Sequence, residues 1–117
     1  MDKEFIPHQE SLELVGLGYD EPVEFFKDSL EEIFDMRTPN DAPCILWQQA
    51  FRFFREKGYD IIFRKMDYGV ESNFTGYYYT IYNGNEMIEV HGADKRTKTY
   101  EEAELACLKK LIEIVKN

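Results

Sequence analysis

The stretch that decides the fold is "FTGYYYTIYNGNEMIEVHG", residues 74–92. Two runs rich in strand-forming residues, 74–82 and 86–92, flank the tripeptide Asn83-Gly84-Asn85. Asn-Gly is the strongest short hairpin signal, because both residues tolerate the positive φ that a type I′ turn requires. The stretch therefore predicts two antiparallel strands joined by a tight turn.

The neighbouring segments extend this hairpin on both sides. "YDIIFRKM", residues 59–66, predicts a strand that a turn at 67–73 joins to the hairpin. "LWQQAFRFFREK", residues 46–57, predicts a helix, since its apolar residues recur at i, i+3, i+4 and i+7. With a helix at 99–116, the order is α-β-β-β-α. The sequence thus predicts an α+β fold, in which helices pack on one face of an antiparallel sheet.

The closing helix carries its own start signal. Thr99 and Glu102 form a capping box, in which each side chain satisfies a free backbone N–H of the first turn. A stripe of leucines with small residues between them predicts a buried face. Cys107 falls in this stripe, and Cys44 is far from it in sequence, so both are expected to be reduced thiols.

The first third of the chain is less clear. Residues 8–18 predict a short helix, with Pro7 at its first position and with Leu12, Leu14 and Val15 on its apolar side. Residues 21–36 fit a helix, which periodicity slightly favours, or a hairpin that pairs 23–27 with 30–35 across residues 27–29. Residues 37–43, "RTPNDAP", predict a loop.

Negative charge is concentrated in this same third. The chain has a net charge of −9, and residues 1–36 hold eleven acidic and two basic side chains, which account for all of it. Such a field repels nucleic acid and attracts basic surfaces. A solvated face that aids solubility is the plainer interpretation. The acidic residues predicted to meet a basic protein partner are Glu21, Glu24, Asp28, Glu31, Glu32 and Asp35.

Two further segments have candidate binding residues. Tyr78 and Tyr82 share one face of their strand, where they form either ordinary cross-strand contacts or an exposed binding surface. Lys95, Arg96 and Lys98 precede a helix N-terminus and are the candidates for binding an anion or RNA. The alternative for these cations is a solvated loop that neutralises the glutamates of the next turn.

The sequence offers no constellation that predicts catalysis. His8 and His91 are isolated, and the two cysteines lack metal-ligand spacing, so we expect no metal and no cofactor. We therefore predict that the protein is not an enzyme. The alternative is a small enzyme of unknown reaction that uses the carboxylates of residues 20–35.

Length and hydropathy set the remaining expectations. The 117 residues predict a single domain, with an acidic N-terminal part at 1–36 and a core at 46–117. No apolar run is long enough to cross a bilayer, and the start "MDKEFIPHQE" lacks the features of a signal peptide. We expect a cytoplasmic protein without a membrane partner.

The order of elements from residue 46 resembles the double-stranded RNA-binding domain. The likeness is strongest in "EAELACLKKL", where small residues and leucines alternate as in that family's last helix. The resemblance implies RNA binding through Lys95, Arg96 and Lys98. Where that family has lysines in the first turn of this helix, this chain has Glu101, Glu102 and Glu104.

The chain also resembles a group of short uncharacterised proteins of gut-type bacteria and their phages. The likeness is carried by "EFIP", "LGYDEP", "QQAFRFFREK", "YYYTI" and "TYEEAELACLKKLIEIVK". In that group the segment after "DEP" tends to look like paired strands, which favours the hairpin for residues 23–35. The resemblance implies an accessory protein of a phage or mobile element, with no assigned activity.

These observations lead to one expected function. The protein is predicted to be a small, non-enzymatic protein-interaction module whose acidic first third docks on a basic, nucleic-acid-binding partner. The alternatives are RNA binding through the basic loop and the small enzyme described above.

Overall fold

The computed structural model describes residues 4–35, 41–67, 75–90 and 99–116. The described order confirms the predicted α+β fold, with an α-β-β-β-α core that a short helix and a hairpin precede. The elements are α1 (His8–Gly16), β1 (Phe26–Lys27), β2 (Ile33–Phe34), β3 (Ala42–Pro43), α2 (Trp47–Glu56), β4 (Tyr59–Asp67), β5 (Thr75–Asn83), β6 (Glu86–Val90) and α3 (Tyr100–Lys116).

The chain divides into two compact units. The first unit comprises Met1–Phe53 and Leu111–Asn117, and the second comprises Phe54–Lys110. Helices α2 and α3 each begin in one unit and end in the other. The expectation that the 117 residues form one domain stays a prediction.

Residues 21–36 contain a hairpin, so the helix favoured by periodicity is wrong. β1 and β2 pair antiparallel, with Phe26 opposite Phe34 and Lys27 opposite Ile33. The loop is Ser29-Leu30-Glu31 rather than the predicted turn at residues 27–29, because the Asp28 backbone accepts from Glu31 N–H and donates to the Glu32 carbonyl. Glu31 has a φ of 65°, the left-handed conformation expected at the last position of such a three-residue loop.

The predicted loop at residues 37–43 ends in a short strand. β3 pairs antiparallel with β1 on the side opposite to β2, so these three strands form a sheet of their own in the order β2-β1-β3. Pro43 is tolerated there because β3 is an edge strand. The hairpin therefore does not extend the β4-β5-β6 sheet. Residues 36–40 of the predicted segments lie outside the described residues.

Helix α1 is two residues shorter than predicted, and only part of its predicted apolar side is buried. It ends at Gly16, and Pro7 is its N-cap rather than its first helical residue. Leu14 and Ser11 are buried, whereas Val15, expected on the apolar side, is exposed. The chain before α1 pairs with the segment before α2, through a donation from Ile6 N–H to the Ile45 carbonyl at 2.9 Å. The buried core of the first unit includes Ile6, Leu14, Tyr19, Ala42, Cys44, Ile45, Ala50 and Phe51.

The second unit is built on the predicted hairpin. β5 lies between β4 and β6, and all three strands are antiparallel. Its two-residue turn is Gly84-Asn85, one residue later than the predicted Asn-Gly, and within it only Gly84 has a positive φ, of 64°. A glycine with positive φ at the first central position fits a type II′ turn better than the predicted type I′. The predicted turn between β4 and β5 lies outside the described residues except at Asp67.

Helix α3 begins as predicted and covers one face of this sheet. Thr99 Oγ1 accepts from the Glu102 N–H at 3.1 Å, which confirms the N-cap. The Tyr100 ring contacts Phe63 and Tyr77 edge-on, with ring centroids 5.3 and 6.0 Å apart. The second unit buries Phe54, Tyr79, Ile81, Ala103, Cys107 and Leu108. None of the described helices is long and apolar enough to span a membrane.

Candidate functional site

The first unit has an open groove of about 710 Å³ beside the β1-β2 hairpin. Its walls are mainly apolar, and three of its lining residues are glutamates. We call it the acidic groove. Its described lining consists of Glu4, Phe5, Phe25, Leu30, Glu31, Glu32, Ile33 and Phe34.

Three large apolar side chains of this groove face solvent. Leu30, at the tip of the hairpin loop, is 78% exposed, and Phe34 and Phe25 are 44% and 41% exposed. Single exposed apolar residues are common on protein surfaces, but a cluster around a concavity is typical of a binding surface. The hairpin holds this cluster in place, because the Asp28 carboxylate accepts the N–H groups of Leu30 and Glu32 at 2.9 and 3.0 Å.

Glu31 connects the groove to the start of α1. Its two carboxylate oxygens accept from the His8 N–H at 3.0 and 2.9 Å. Pro7, the N-cap of α1, makes no side-chain capping bond, so a carboxylate from the hairpin caps this helix instead. The negative charge also lies at the positive end of the helix dipole. Glu31 is thus a structural residue as well as part of the groove wall.

Lys27 makes a second connection between the β1-β2 hairpin and the residues that precede α1. We call the contacts of Lys27 and Glu31 with residues 6–8 the junction. It is 1% exposed, and its ammonium donates to the Ile6 carbonyl at 2.6 Å. The ammonium also lies 3.5 Å from Glu31 Oε1 and 5.7 Å from the centre of the Phe5 ring. A buried ammonium is costly unless it is paired and hydrogen-bonded, and all three interactions offset that cost. Together Lys27 and Glu31 hold the hairpin against residues 6–8.

The remaining glutamates of the groove are available to a partner. Glu4 and Glu32 are exposed, and no described side chain pairs with either carboxylate. The described part of the first unit has twelve acidic and three basic side chains, a net charge of −9. The three basic residues are already engaged: Lys27 with Glu31, Arg52 with Glu21 and Lys116 with Glu13.

A smaller concavity of about 360 Å³ lies beside the acidic groove and shares Phe5 and Phe25 with it. Glu24 and Cys44 also line it. Burial raises the pKa of the Cys44 thiol, partly offset by the nearby Lys27 charge, so the thiol is protonated near neutral pH. This concavity therefore holds no activated nucleophile.

The acidic residues that the sequence singles out have different roles in the structure. Glu31 and Glu32 line the acidic groove, and Asp35 is exposed one residue beyond Phe34. Asp28 stabilises the loop. Glu21 accepts from Arg52 at 2.9 and 3.1 Å and from the Tyr19 hydroxyl at 3.0 Å.

Tyr78 and Tyr82 lie in the second unit, on the face of β5 that also carries Thr80. In the register of the sheet, Tyr78 is opposite Arg64 and Tyr82 is opposite Asp60. Both tyrosines are half-buried, and the same face exposes Ile62 and Met87. Cross-strand contacts and a binding surface therefore both remain open for these two residues. Lys95, Arg96 and Lys98 lie outside the described residues.

Three neighbouring side chains of α3 in the second unit have raised pKa values. Burial, together with the charge of Glu101, raises the pKa of Glu104 on α3. Burial raises the pKa of Tyr100 and Cys107 on the same helix, and the Glu104 charge adds to both shifts. The Cys107 thiol is thus protonated near neutral pH. Within the described residues no group of three or more histidine, cysteine, aspartate or glutamate residues is placed to hold a metal ion.

The apolar part of the groove has only a weak signal in the sequence. At helix spacing, Phe26, Leu30 and Phe34 share one side, which is why periodicity slightly favours a helix there. In the hairpin, Leu30 is instead at the loop tip and Phe34 is exposed. An apolar residue in a turn flanked by aspartate, serine and glutamates is the one feature that could have identified this surface.

Comparison of the chain with protein families, with curated proteins and with solved structures finds no match. A functional conclusion therefore depends on the geometry and charge described above.

Proposed function

We propose that the protein is a small, non-enzymatic protein-interaction module whose acidic first unit docks on a basic, nucleic-acid-binding partner. The resemblance to phage-associated proteins suggests the setting, an accessory protein of a phage or mobile element. The observation that carries the proposal is the acidic groove, where exposed apolar side chains adjoin Glu4 and Glu32, two exposed glutamates without a partner among the described side chains.

The charge of the first unit supports this assignment. The three basic side chains in its described part are engaged in ion pairs with Glu31, Glu21 and Glu13, whereas Glu4, Glu24, Glu32 and Asp35 are exposed. A surface of one sign raises the association rate of an oppositely charged partner, whereas the contacts at its centre set the lifetime of the complex. The groove supplies such a centre, because its exposed apolar side chains gain from being covered.

Affinity capture with a charge-matched control tests the proposal. The full chain is immobilised and exposed to lysate of its host, and bound proteins are identified by mass spectrometry. A variant with Glu24→Gln, Glu32→Gln and Asp35→Asn loses three charges from the first unit, and a control with Glu56→Gln, Glu86→Gln and Glu101→Gln loses three exposed charges from the second.

We expect a basic protein to be retained by the native chain and the control, and to be lost from the first variant. Retention should weaken as salt is raised, because surface charges are screened. Equal retention by all three proteins, or capture of no basic protein, would contradict the proposal.

A further inference from the structure

We propose that the acidic groove recognises a protein segment with one large apolar side chain flanked by lysine or arginine. The inference rests on the proposed function and specifies what the partner presents. The apolar side chain enters the groove, and the cations on either side of it meet the glutamates of the groove.

The apolar requirement follows from what the groove exposes. Leu30, Phe34 and Phe25 contribute exposed carbon surface, and Phe5 and Ile33 continue the wall between them. A purely cationic segment would leave this surface in water, whereas an inserted aliphatic or aromatic side chain removes it. A volume of about 710 Å³ also falls in the range of pockets that accept such groups.

The cationic requirement follows from the two glutamates that have no described side-chain partner. Glu31 is committed to the α1 N-terminus and to Lys27, so Glu4 and Glu32 are the carboxylates left for a ligand. A single apolar anchor beside one or two cations satisfies both features of the groove. Such pairs at the edge of an interface contribute mainly to specificity and to the association rate.

The negative charge around the groove argues against two other occupants, a second copy of this chain and a phosphate-bearing surface. A second copy of this chain carries the same net charge of −9, and its own exposed loop residue Leu30 has Glu31 and Glu32 beside it. Phosphate-bearing surfaces, of lipid or nucleic acid, are repelled by the same glutamates. A basic peptide segment is the occupant whose charge complements the groove.

Two capped peptides test the inference. One has the order lysine-lysine-phenylalanine-lysine-lysine, and the other has serine in place of phenylalanine. Each is titrated into the ¹⁵N-labelled full chain at low salt, and binding is followed by amide chemical shifts in the NMR spectrum. We expect the phenylalanine peptide to bind at least about tenfold more tightly, as burial of one large apolar side chain implies. The shifts should centre on residues 30–34.

Protein variants distinguish binding in the groove from general attraction between opposite charges. Leu30→Ser removes the most exposed apolar side chain and is expected to weaken the phenylalanine peptide about tenfold, with little effect on the serine peptide. Met87→Ser, at an exposed position of the second unit, is the matched control and should leave both affinities unchanged. Glu32→Gln should weaken both peptides, whereas Asp20→Asn, an exposed position outside the groove lining, should do so less.

The outcomes distinguish this inference from the proposed function. If the two peptides bind equally, or if Leu30→Ser and Met87→Ser weaken binding equally, the inference of an apolar anchor is wrong. The proposed docking through charge is then not contradicted. Binding of neither peptide overturns the anchored mode, and the proposed function then fails only if the host lysate also yields no basic protein.

Discussion

At the scale of single residues, the first unit depends on an ion pair between the buried Lys27 and the partly exposed Glu31. Lys27 in β1 and Glu31 at the end of the hairpin loop are four residues apart, and both contact residues 6–8. Removing Glu31 would leave the buried ammonium of Lys27 without its counter-charge, which is costly. The acidic groove shares Glu31 with this junction, so its shape depends on the same contacts.

Lys27→Ala should lower the free energy of unfolding by about 3 kcal/mol, the scale expected for removing a buried side chain together with its hydrogen bond. The Ile6 carbonyl and Glu31 lose their ammonium partner, and a buried aliphatic stem is removed as well. Chemical denaturation of the full chain measures the loss. Lys109→Ala, at an exposed position of α3, is the control and should change stability by less than about 0.5 kcal/mol. Similar losses in the two variants would show that the junction is not structural.

Tyr19 should make the free energy of unfolding depend on pH in the alkaline range. Burial, reinforced by the hydrogen bond and the charge of Glu21, raises the pKa of Tyr19 to about 12, although Arg52 opposes the shift. The folded state therefore keeps this proton more tightly than the unfolded state, so the contribution is complete below about pH 10 and is lost as the pH rises toward 12.

Comparison with Tyr19→Phe isolates this contribution, because all other titrating groups are common to both proteins. The stability difference between the native chain and the variant should be constant up to about pH 9 and should then shift toward the variant, by roughly 2 kcal/mol near pH 12. Unfolding curves at a series of pH values provide the measurement. A difference that does not change across this range would show that Tyr19 titrates normally.

At the scale of elements, the turns decide which residues face solvent. The β1-β2 loop places Leu30 at its tip, since Asp28 fixes a three-residue loop that ends with Glu31 in the left-handed conformation. In the second unit, the turn after β5 depends on Gly84. Two short loops thus present an apolar tip in one unit and a polar turn in the other.

Two glycines with open surroundings provide a matched pair of substitutions. A Cβ added at Gly16 or at Gly84 meets no atom within 4 Å, so the two positions differ in backbone conformation and not in space. Gly16→Ala, in the last turn of α1, should stabilise the protein by about 0.5 kcal/mol. Gly84→Ala should destabilise it by about 1 kcal/mol, because φ is 64° there. Thermal unfolding that shifts in the same direction for both variants would contradict this explanation.

At the scale of the whole molecule, charge bears on the choice between a protein partner and RNA. The order of α2, β4, β5, β6 and α3 resembles that of a double-stranded RNA-binding domain only in topology, and the first turn of α3 has acidic Glu101 and Glu102 where that family has lysines. Fold order alone carries no function. The net charge of −9 further disfavours a phosphate backbone.

The full chain should therefore not retard duplex RNA in a gel-shift experiment. A duplex of about 16 base pairs or longer, at low salt, is the most permissive probe, because both shape and phosphate contacts are then available. A double-stranded RNA-binding domain serves as the positive control. Retardation that disappears when Lys95, Arg96 and Lys98 are replaced by alanine would instead favour the RNA alternative.

Local patterns predicted the elements that have strong periodicity. Helices α2 and α3 and strands β4 to β6 lie within two residues of their predicted bounds, because heptad-like spacing, a capping residue and an Asn-Gly pair act over a few neighbouring residues. Apart from the type and position of the turn after β5, the failures fall in the first third. There Phe26, Leu30 and Phe34 fit a helix by spacing, yet pairing of β1 with β3 stabilises the extended form.

The sequence by itself determined the α-β-β-β-α order, the acidic first third and the self-capped start of α3, since each depends on composition or on short-range contacts. Only the tertiary structure decided which acidic residues are structural and which are available. Glu31 caps a helix 23 residues away, whereas Glu32, its neighbour in the chain, lines the groove without a described side-chain partner. That difference arises because long-range pairing sets the direction of each side chain, and no local pattern records it.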